Sequence, residues 1–175
     1  MPNKFEIRIS GLGGQGVILA GQILGRAAVY DGKNAVQTQS YGAEARGTTA
    51  KSEVIISDGM IGFPAIRKCD VLIVMSQGAS EKNISDLKED GILIIDSTNI
   101  QKIPEINVKI FKVPATEIAE ISFGHKVYAN MIMLGALTKI TSIISEESME
   151  KAIRDAVPKK SITVNIQAYK RGKSP

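Results

Sequence analysis

Apolar and polar residues alternate from the start of the chain. Phe5, Ile7 and Ile9 are interleaved with Glu6, Arg8 and Ser10, the period-two pattern of a strand with one apolar face. From Val17 to Asp31 the period becomes helical, with Val17, Ala20, Gly21, Leu24 and Ala28 on one stripe. Gly21 and Gly25 leave a smooth strip on that helix. Two helical glycines cost roughly 1 kcal/mol each against alanine, so a close contact is expected to offset them. Ala35–Gln39 reads as a second strand and Lys51–Ser57 as a third, built on Val54-Ile55-Ile56. Phe63–Ile66 suggests a short helical turn with proline near its start. Val71–Met75 and Ile92–Asp96 are continuous apolar runs, as expected of parallel strands covered on both faces. Between them Ser80–Lys88 reads as a helix that Gly91 stops, and Val108–Val113 adds a strand ended by Pro114. Thereafter the pattern is helical. Thr116–Ser122 is short, Val127–Ile140 long and mostly apolar, and Ser145–Val157 has Ser145 as N-cap with Glu146 and Glu147 in its first turn. Ser161–Lys170 reads as a last helix, although Ile162, Val164 and Ile166 also alternate. These elements predict a single domain over residues 1–175: an open, mostly parallel, Rossmann-like α/β sheet flanked by helices, with a helical C-terminal third.

The first strand and first helix are joined by Gly11-Leu12-Gly13-Gly14-Gln15-Gly16. A glycine turn between a strand and a helix N-terminus favours phosphate, because the first helical N–H groups lack internal partners and the helix dipole adds positive charge there. The spacing matches the dinucleotide fingerprint, which also calls for an acidic residue at the end of the second strand to hold a ribose. Here that strand ends Thr38-Gln39-Ser40, without an acid. A plain NAD site is disfavoured; an NADP site using Arg46 stays open, as does a turn that serves only close packing.

The segment Tyr41 to Thr49 follows the second strand and places a tyrosine, Glu44, Arg46 and two glycines at what a parallel sheet makes its carboxyl edge. Arg46 has the planar fork of donors suited to phosphate or carboxylate. A surface Glu44–Arg46 pair of little energetic weight is the other reading. Asp96 ends a strand at the same edge and could face a cleft or cap a turn. Asn130 is a polar residue in an apolar helix, expected to be buried and hydrogen-bonded and able to contact a ligand as well. His125, the single histidine, has no evident acid–base partner, and Met131 and Met133 read as core.

Composition narrows the function classes. The chain has 175 residues, 23% charged and a formal net charge of +4, with the one basic cluster, Lys170-Arg171-Gly172-Lys173, at its end. That balance suits an anionic ligand or an acidic partner and gives no nucleic-acid signature. The single cysteine, Cys69, cannot form an internal disulfide, a four-cysteine zinc site or an iron–sulfur cluster, and reads as a small core residue. No apolar run reaches the roughly 18–20 residues of a membrane span, and the N-terminus enters a strand with no signal-peptide pattern, so a cytoplasmic protein is expected. Neither a nucleophile–base pair, nor paired carboxylates, nor a metal-ligand cluster stands out, so the expectation is a binding domain with no catalytic or metal-ligating residue of its own.

Three stretches carry a resemblance: Gly11-Leu12-Gly13-Gly14-Gln15-Gly16-Val17, Gln39-Ser40-Tyr41-Gly42-Ala43-Glu44-Ala45-Arg46-Gly47, and Asn130-Met131-Ile132-Met133-Leu134-Gly135-Ala136-Leu137. Together they resemble the gamma subunit of 2-oxoacid:ferredoxin oxidoreductases, the domain III family of pyruvate–ferredoxin oxidoreductase, over nearly the whole chain. Val74-Met75-Ser76-Gln77 and Val113-Pro114-Ala115-Thr116 are most similar to the 2-oxoglutarate member. Ala43 stands where the family usually has proline, and Thr48 where it has a second glycine. The resemblance implies a cytoplasmic complex that oxidatively decarboxylates a 2-oxoacid, joins the acyl group to coenzyme A and reduces ferredoxin. Thiamine diphosphate and iron–sulfur clusters would reside in partner subunits: thiamine-binding, 2-oxoacid-binding and ferredoxin-like. This chain would support assembly and coenzyme A binding, with Gly11, Gly13, Gly14, Gln15, Gly16, Tyr41, Glu44, Arg46, Gly47 and Asn130 as candidate contacts. The mostly apolar helix Val127–Ile140 separately suggests a dimer or subunit interface, so a homodimer of the isolated chain is expected. A free-standing NADP-binding reductase and a purely structural scaffold are the alternatives.

Overall fold

A computed structural model describes residues 3–43 and 47–174. The element order is β1 (Lys4–Leu12), α1 (Val17–Tyr30), β2 (Asn34–Tyr41), β3 (Thr49–Ser57), β4 (Cys69–Val74), α2 (Gln77–Asn83), β5 (Leu87–Asp96), β6 (Lys109–Val113), α3 (Ala115–Phe123), α4 (Ala129–Thr141), α5 (Glu146–Ala156) and α6 (Ile162–Gly172). Among the described residues the strands form one six-stranded sheet in the order β2-β3-β1-β4-β5-β6. The expected open α/β architecture is thus present, and residues 162–172 are helical.

The sheet departs from a fully parallel one at β3. It runs antiparallel to both neighbours, with Ile7 opposite Val54 and Gln37 also opposite Val54. The short connection from Tyr41 to Thr49 explains this, because a parallel return needs a crossover of about a dozen residues or more, whereas a hairpin does not. β1 then pairs in parallel with β4, β4 with β5 and β5 with β6.

Both faces of the sheet are covered. Ile7, Ile9, Val54, Ile56, Val71, Ile73 and Ile94 pack under the helices with Ile23, Leu24 and Leu134. On the opposite face Ile55, Leu72, Val74, Leu93 and Ile95 pack with Ile66, Leu87 and Ile100. The close contact anticipated for the α1 glycines is present: a methyl at Gly21 would sit 2.7 Å from Ser52 Cβ.

Three local readings are corrected. β1 has no solvated face, because Arg8 and Ser10 are buried. The Arg8 guanidinium donates to Glu53 Oε1 at 2.8 Å, Asp86 Oδ2 at 2.5 Å and the Ile66 carbonyl at 3.2 Å. A buried cation is tolerated here because two carboxylates and a carbonyl replace its water. Ser80–Lys88 is not one helix: α2 starts at Gln77, where Ser76 Oγ caps Ala79 N–H at 3.2 Å, and the chain turns at Ile84–Asp86 and enters β5 at Leu87. Lys88 lies in that strand and pairs with Asp70 at 2.6 Å and Glu6 at 3.1 Å. Gly91 does not stop a helix; it sits inside β5, where a Cβ would approach the Lys88 carbonyl to 2.9 Å. Residues Phe63–Ile66 form no helical turn; Ile66 is instead fixed by burial and by its carbonyl's bond to Arg8.

Candidate functional site

The chain order reverses across the sheet at β1, which has β3 on one side and β4 on the other. Open α/β sheets form a crevice at the carboxyl ends of such a pair. A cleft of about 560 Å³ lies there, walled by Leu12, Gly13, Gly14 and Gln15 from the end of β1, and by Met75–Gly78 from the end of β4. Asn99, Thr116, His125, Lys126, Val127 and Ala129 complete it.

The glycine turn divides into two parts. Gly13, Gly14 and Gln15 line the cleft, while Gly11, Gly16 and Asn130 stand behind it. Gly16 caps α1 with φ 73° and ψ 24°, a left-handed conformation open to glycine at little cost. Asn130, only 3% exposed, donates to the Gly16 carbonyl at 3.2 Å and accepts the Met131 N–H at 2.8 Å. The Gln15 side chain is a brace: its Oε1 accepts the Leu12 N–H at 2.7 Å and its Nε2 donates to the Met75 carbonyl at 2.9 Å. It thereby ties the turn to the end of β4. The Gly13 N–H is also committed, donating to the Thr48 carbonyl at 2.8 Å, and the Gln15 N–H to the Leu12 carbonyl at 3.1 Å.

The bond from Gly13 to Thr48 places the loop after β2 beside the glycine turn, as expected, although an antiparallel hairpin does this and not a parallel edge. The base of the hairpin closes with Gly42 N–H donating to the Thr49 carbonyl at 2.8 Å. Tyr41 ends β2 and is 61% exposed, and Gly47 is exposed with φ 63°. Glu44 and Arg46 lie outside the described residues.

The cleft floor is set by Asp96. It is fully buried, so it does not face a ligand; its carboxylate accepts Thr98 N–H at 3.2 Å, Asn99 Nδ2 at 3.1 Å and Thr116 Oγ1 at 2.5 Å. Asn99 in turn donates to Thr116 Oγ1 at 2.9 Å. This lattice fixes the rotamers of the two polar groups that line the floor. Gln77 is likewise occupied, accepting Gln101 and Lys102 N–H at 3.1 Å each.

His125 and Lys126 also line the cleft. His125 Nδ1 accepts the Val127 N–H at 3.0 Å, which assigns the proton of the neutral ring to Nε2. Among the described residues, neither His125 Nε2 nor Lys126 Nζ has a hydrogen-bond partner. The cleft therefore combines an internally hydrogen-bonded lining with one exposed cation and one imidazole N–H, beside apolar contributions from Leu12, Met75 and Val127. That arrangement has the chemistry to suit an elongated anion with apolar parts, and among its described residues no nucleophile–base pair is formed. Sequence reasoning missed the Ser76–Gly78, Asn99 and His125–Lys126 contributions. The signal available was position, since each follows or precedes a segment that ends at the carboxyl edge.

The Cys69 thiol is fully buried and pushed up to about 11, chiefly by burial, so it belongs to the core. No helix among the described residues is long and apolar enough to cross a membrane.

Comparison with known proteins supplies the family. Residues 6–174 match the model for pyruvate ferredoxin/flavodoxin oxidoreductase. The chain is 53% identical over 170 residues to the 2-oxoglutarate synthase subunit KorC of Methanocaldococcus jannaschii, covering 95% of this chain and 91% of that protein. It is 47% identical to the subunit of the same name from Methanothermobacter marburgensis, over 96% of this chain and 94% of the relative. In structure it is similar to the gamma subunit of keto/oxoacid ferredoxin oxidoreductase from Geobacter sulfurreducens, with a TM-score of 0.87, 44% identity and coverage of 96% and 95%. It also overlays part of the 2-oxoglutarate:ferredoxin oxidoreductase of Magnetococcus marinus, solved with 2-oxoglutarate, coenzyme A and succinyl-CoA bound, with a TM-score of 0.89 and 25% identity over 98% of this chain and 30% of that longer one. The resemblance read from the glycine turn, the tyrosine loop and the Asn130 helix is borne out: this chain belongs to the pyruvate ferredoxin/flavodoxin oxidoreductase family.

Proposed function

We propose that the chain is the gamma-type subunit of a 2-oxoglutarate:ferredoxin oxidoreductase, and that its own part in the reaction is to hold coenzyme A in the cleft between β1 and β4. The full reaction converts a 2-oxoacid, coenzyme A and two oxidised ferredoxins to acyl-CoA, carbon dioxide, a proton and two reduced ferredoxins. Thiamine diphosphate and iron–sulfur clusters, carried by thiamine-binding, 2-oxoacid-binding and ferredoxin-like partner subunits, would supply decarboxylation and electron transfer.

The observation that carries the reading is the cleft itself, lined by the glycine turn and by His125 and Lys126. The ligand it suits has phosphates for Lys126 and the His125 N–H, and apolar segments for Leu12, Met75 and Val127. Coenzyme A has both, in its phosphates and its pantetheine arm. Arg46, from the loop anchored beside Gly13, is proposed as a further phosphate contact. Gly11, Gly16 and Asn130 serve the same site from behind, and Gln15 serves it from the cleft lining, by holding the turn in shape.

A dinucleotide reductase is disfavoured by topology as well as by the missing acid. β3 lies between β1 and β2, so the end of β2 is one strand further from the glycine turn than the ribose contact of a dinucleotide site requires. Calorimetric titration of the chain with coenzyme A and with NADP separates the two. Coenzyme A binding without NADP binding is expected; the reverse would sink the proposal. Purification from the native source is expected to bring thiamine-binding and ferredoxin-like chains along.

A further inference from the structure

The two edges of the sheet are unlike. β6, one edge, is five residues long and carries Lys109 and Lys112, both exposed. Lysines on a short edge strand are the usual protection against pairing with another chain. β2, the other edge, is eight residues long, Asn34-Ala35-Val36-Gln37-Thr38-Gln39-Ser40-Tyr41, and is hydrogen-bonded to β3 alone. It has no charge, no proline and a register with β3 that is unbroken from Asn34 to Tyr41. In a chain that is 23% charged, a neutral, regular edge of that length lacks the charge, proline, bulge and shortness that commonly protect an edge.

We propose that β2 is where two copies of this chain pair, with β2 running antiparallel to β2 about a two-fold axis near Gln37 and Thr38, so that the two sheets become one. The surroundings favour a second copy over a partner of different chemistry. Beside the strand on its helix side lies a groove carrying Arg26 and Asp155; at its other flank a groove carries Lys33 and Asp58. Each groove holds one cation and one anion. A two-fold axis presents the same surface to itself, so a surface that is neutral along the strand and balanced beside it is self-complementary, whereas a strongly acidic or basic partner would find no matching field. Two exposed apolar residues border the edge, Val29 at 56% and Met60 at 93% exposure. Pairing covers the first from the helix side and the second from the β3–β4 connection, which Asn34 Nδ2 holds against the strand by donating to the Gly59 carbonyl at 3.0 Å.

The test is analytical ultracentrifugation of the full chain with hydrogen exchange read at residues 34–41. A dimer is expected, with β2 amides protected more strongly as concentration rises. Thr38→Lys and Thr38→Glu each place two like charges near the axis and are expected to weaken the dimer at least about tenfold. An equimolar mixture of the two is expected to restore a heterodimer, which a merely misfolded variant could not do. Several outcomes overturn the proposal: a monomeric wild type, a dimer that Thr38→Lys leaves intact, a mixture that stays monomeric, or β2 protection that appears only when another subunit of the complex is added.

Discussion

Replacing Gly16 by alanine tests how the glycine turn is held, and the structure lets the cost be divided. The first part is conformational. Gly16 sits at φ 73°, and an L-residue there costs about 1–2 kcal/mol. The second part is steric. A Cβ on Gly16 would collide with the Asn130 amide and stand 3.0 Å from Asn130 Cγ, but a comfortable 3.5 Å from Asn130 Cβ. The amide must therefore swing away, breaking its bonds to the Gly16 carbonyl and the Met131 N–H inside the protein. Stranding those groups costs a further ~1–3 kcal/mol. Gly16→Ala alone should thus destabilise the fold by about 2–5 kcal/mol. In an Asn130→Ala background the methyl fits and only the conformational part, about 1–2 kcal/mol, remains. Urea unfolding of the four proteins, with slopes compared as well as midpoints, measures the cycle. A coupling of ~1–3 kcal/mol is expected. Effects that add within about 0.5 kcal/mol would refute the view that Asn130 braces the turn.

Three further predictions concern charge and burial. Arg8→Leu takes the buried cation from Glu53 and Asp86, leaving Glu53 only the longer pair with Lys51 at 3.5 Å. It is expected to lower stability by about 3 kcal/mol by urea midpoint, the low end for a broken buried pair because Asp86 keeps 40% of its side-chain exposure. Cys69, held up at about 11 from its ordinary 9.0, binds its proton more tightly folded than unfolded. Its contribution is therefore full below pH 9 and lost as pH rises from 9 to 11. Melting across that window should fall more steeply for the native protein than for Cys69→Ala, and the thiol should resist a disulfide reagent at pH 8 until denaturant is added. At Asp31 burial acts to raise the carboxyl, but bonds from the Ser145 and Ser148 hydroxyls and the Ser145 N–H prevail and hold it below its usual range. That contribution is present at neutral pH and lost as pH falls through the carboxylate range, so Asp31→Asn should show a flatter acid limb in thermal melts.

Much of this molecule is legible in its sequence because local pattern and tertiary role coincide. Val71–Val74 and Leu93–Ile95 are apolar on both faces because helices or connections cover both, and Ser145 signals its helix because capping is a local interaction. The direction of β3 is different. Val54-Ile55-Ile56 is equally at home in either orientation, and only the brevity of the Tyr41–Thr49 connection reveals the hairpin. Arg8 reads as a solvated position because its partners, Glu53 and Asp86, are distant in sequence. In the cleft, the glycine turn stands out because backbone geometry demands glycine, while His125 and Lys126 are ordinary residues made relevant by where Gly124 and the turn before α4 place them. Gln15 and Asn130 stand out in the sequence as candidate ligand contacts, and their hydrogen bonds show them shaping the turn from within.

The claim that the β1–β4 cleft holds coenzyme A is tested most directly by the steady-state kinetics of the assembled complex carrying Lys126→Ala. Lys126 has no internal partner among the described residues, so its removal should leave the fold intact. Loss of one charge-assisted phosphate contact, about 1.5–3 kcal/mol, predicts a KM for coenzyme A raised roughly tenfold to a hundredfold, with the KM for the 2-oxoacid unchanged. An unchanged KM for coenzyme A, or an equal rise for both substrates, would contradict the account.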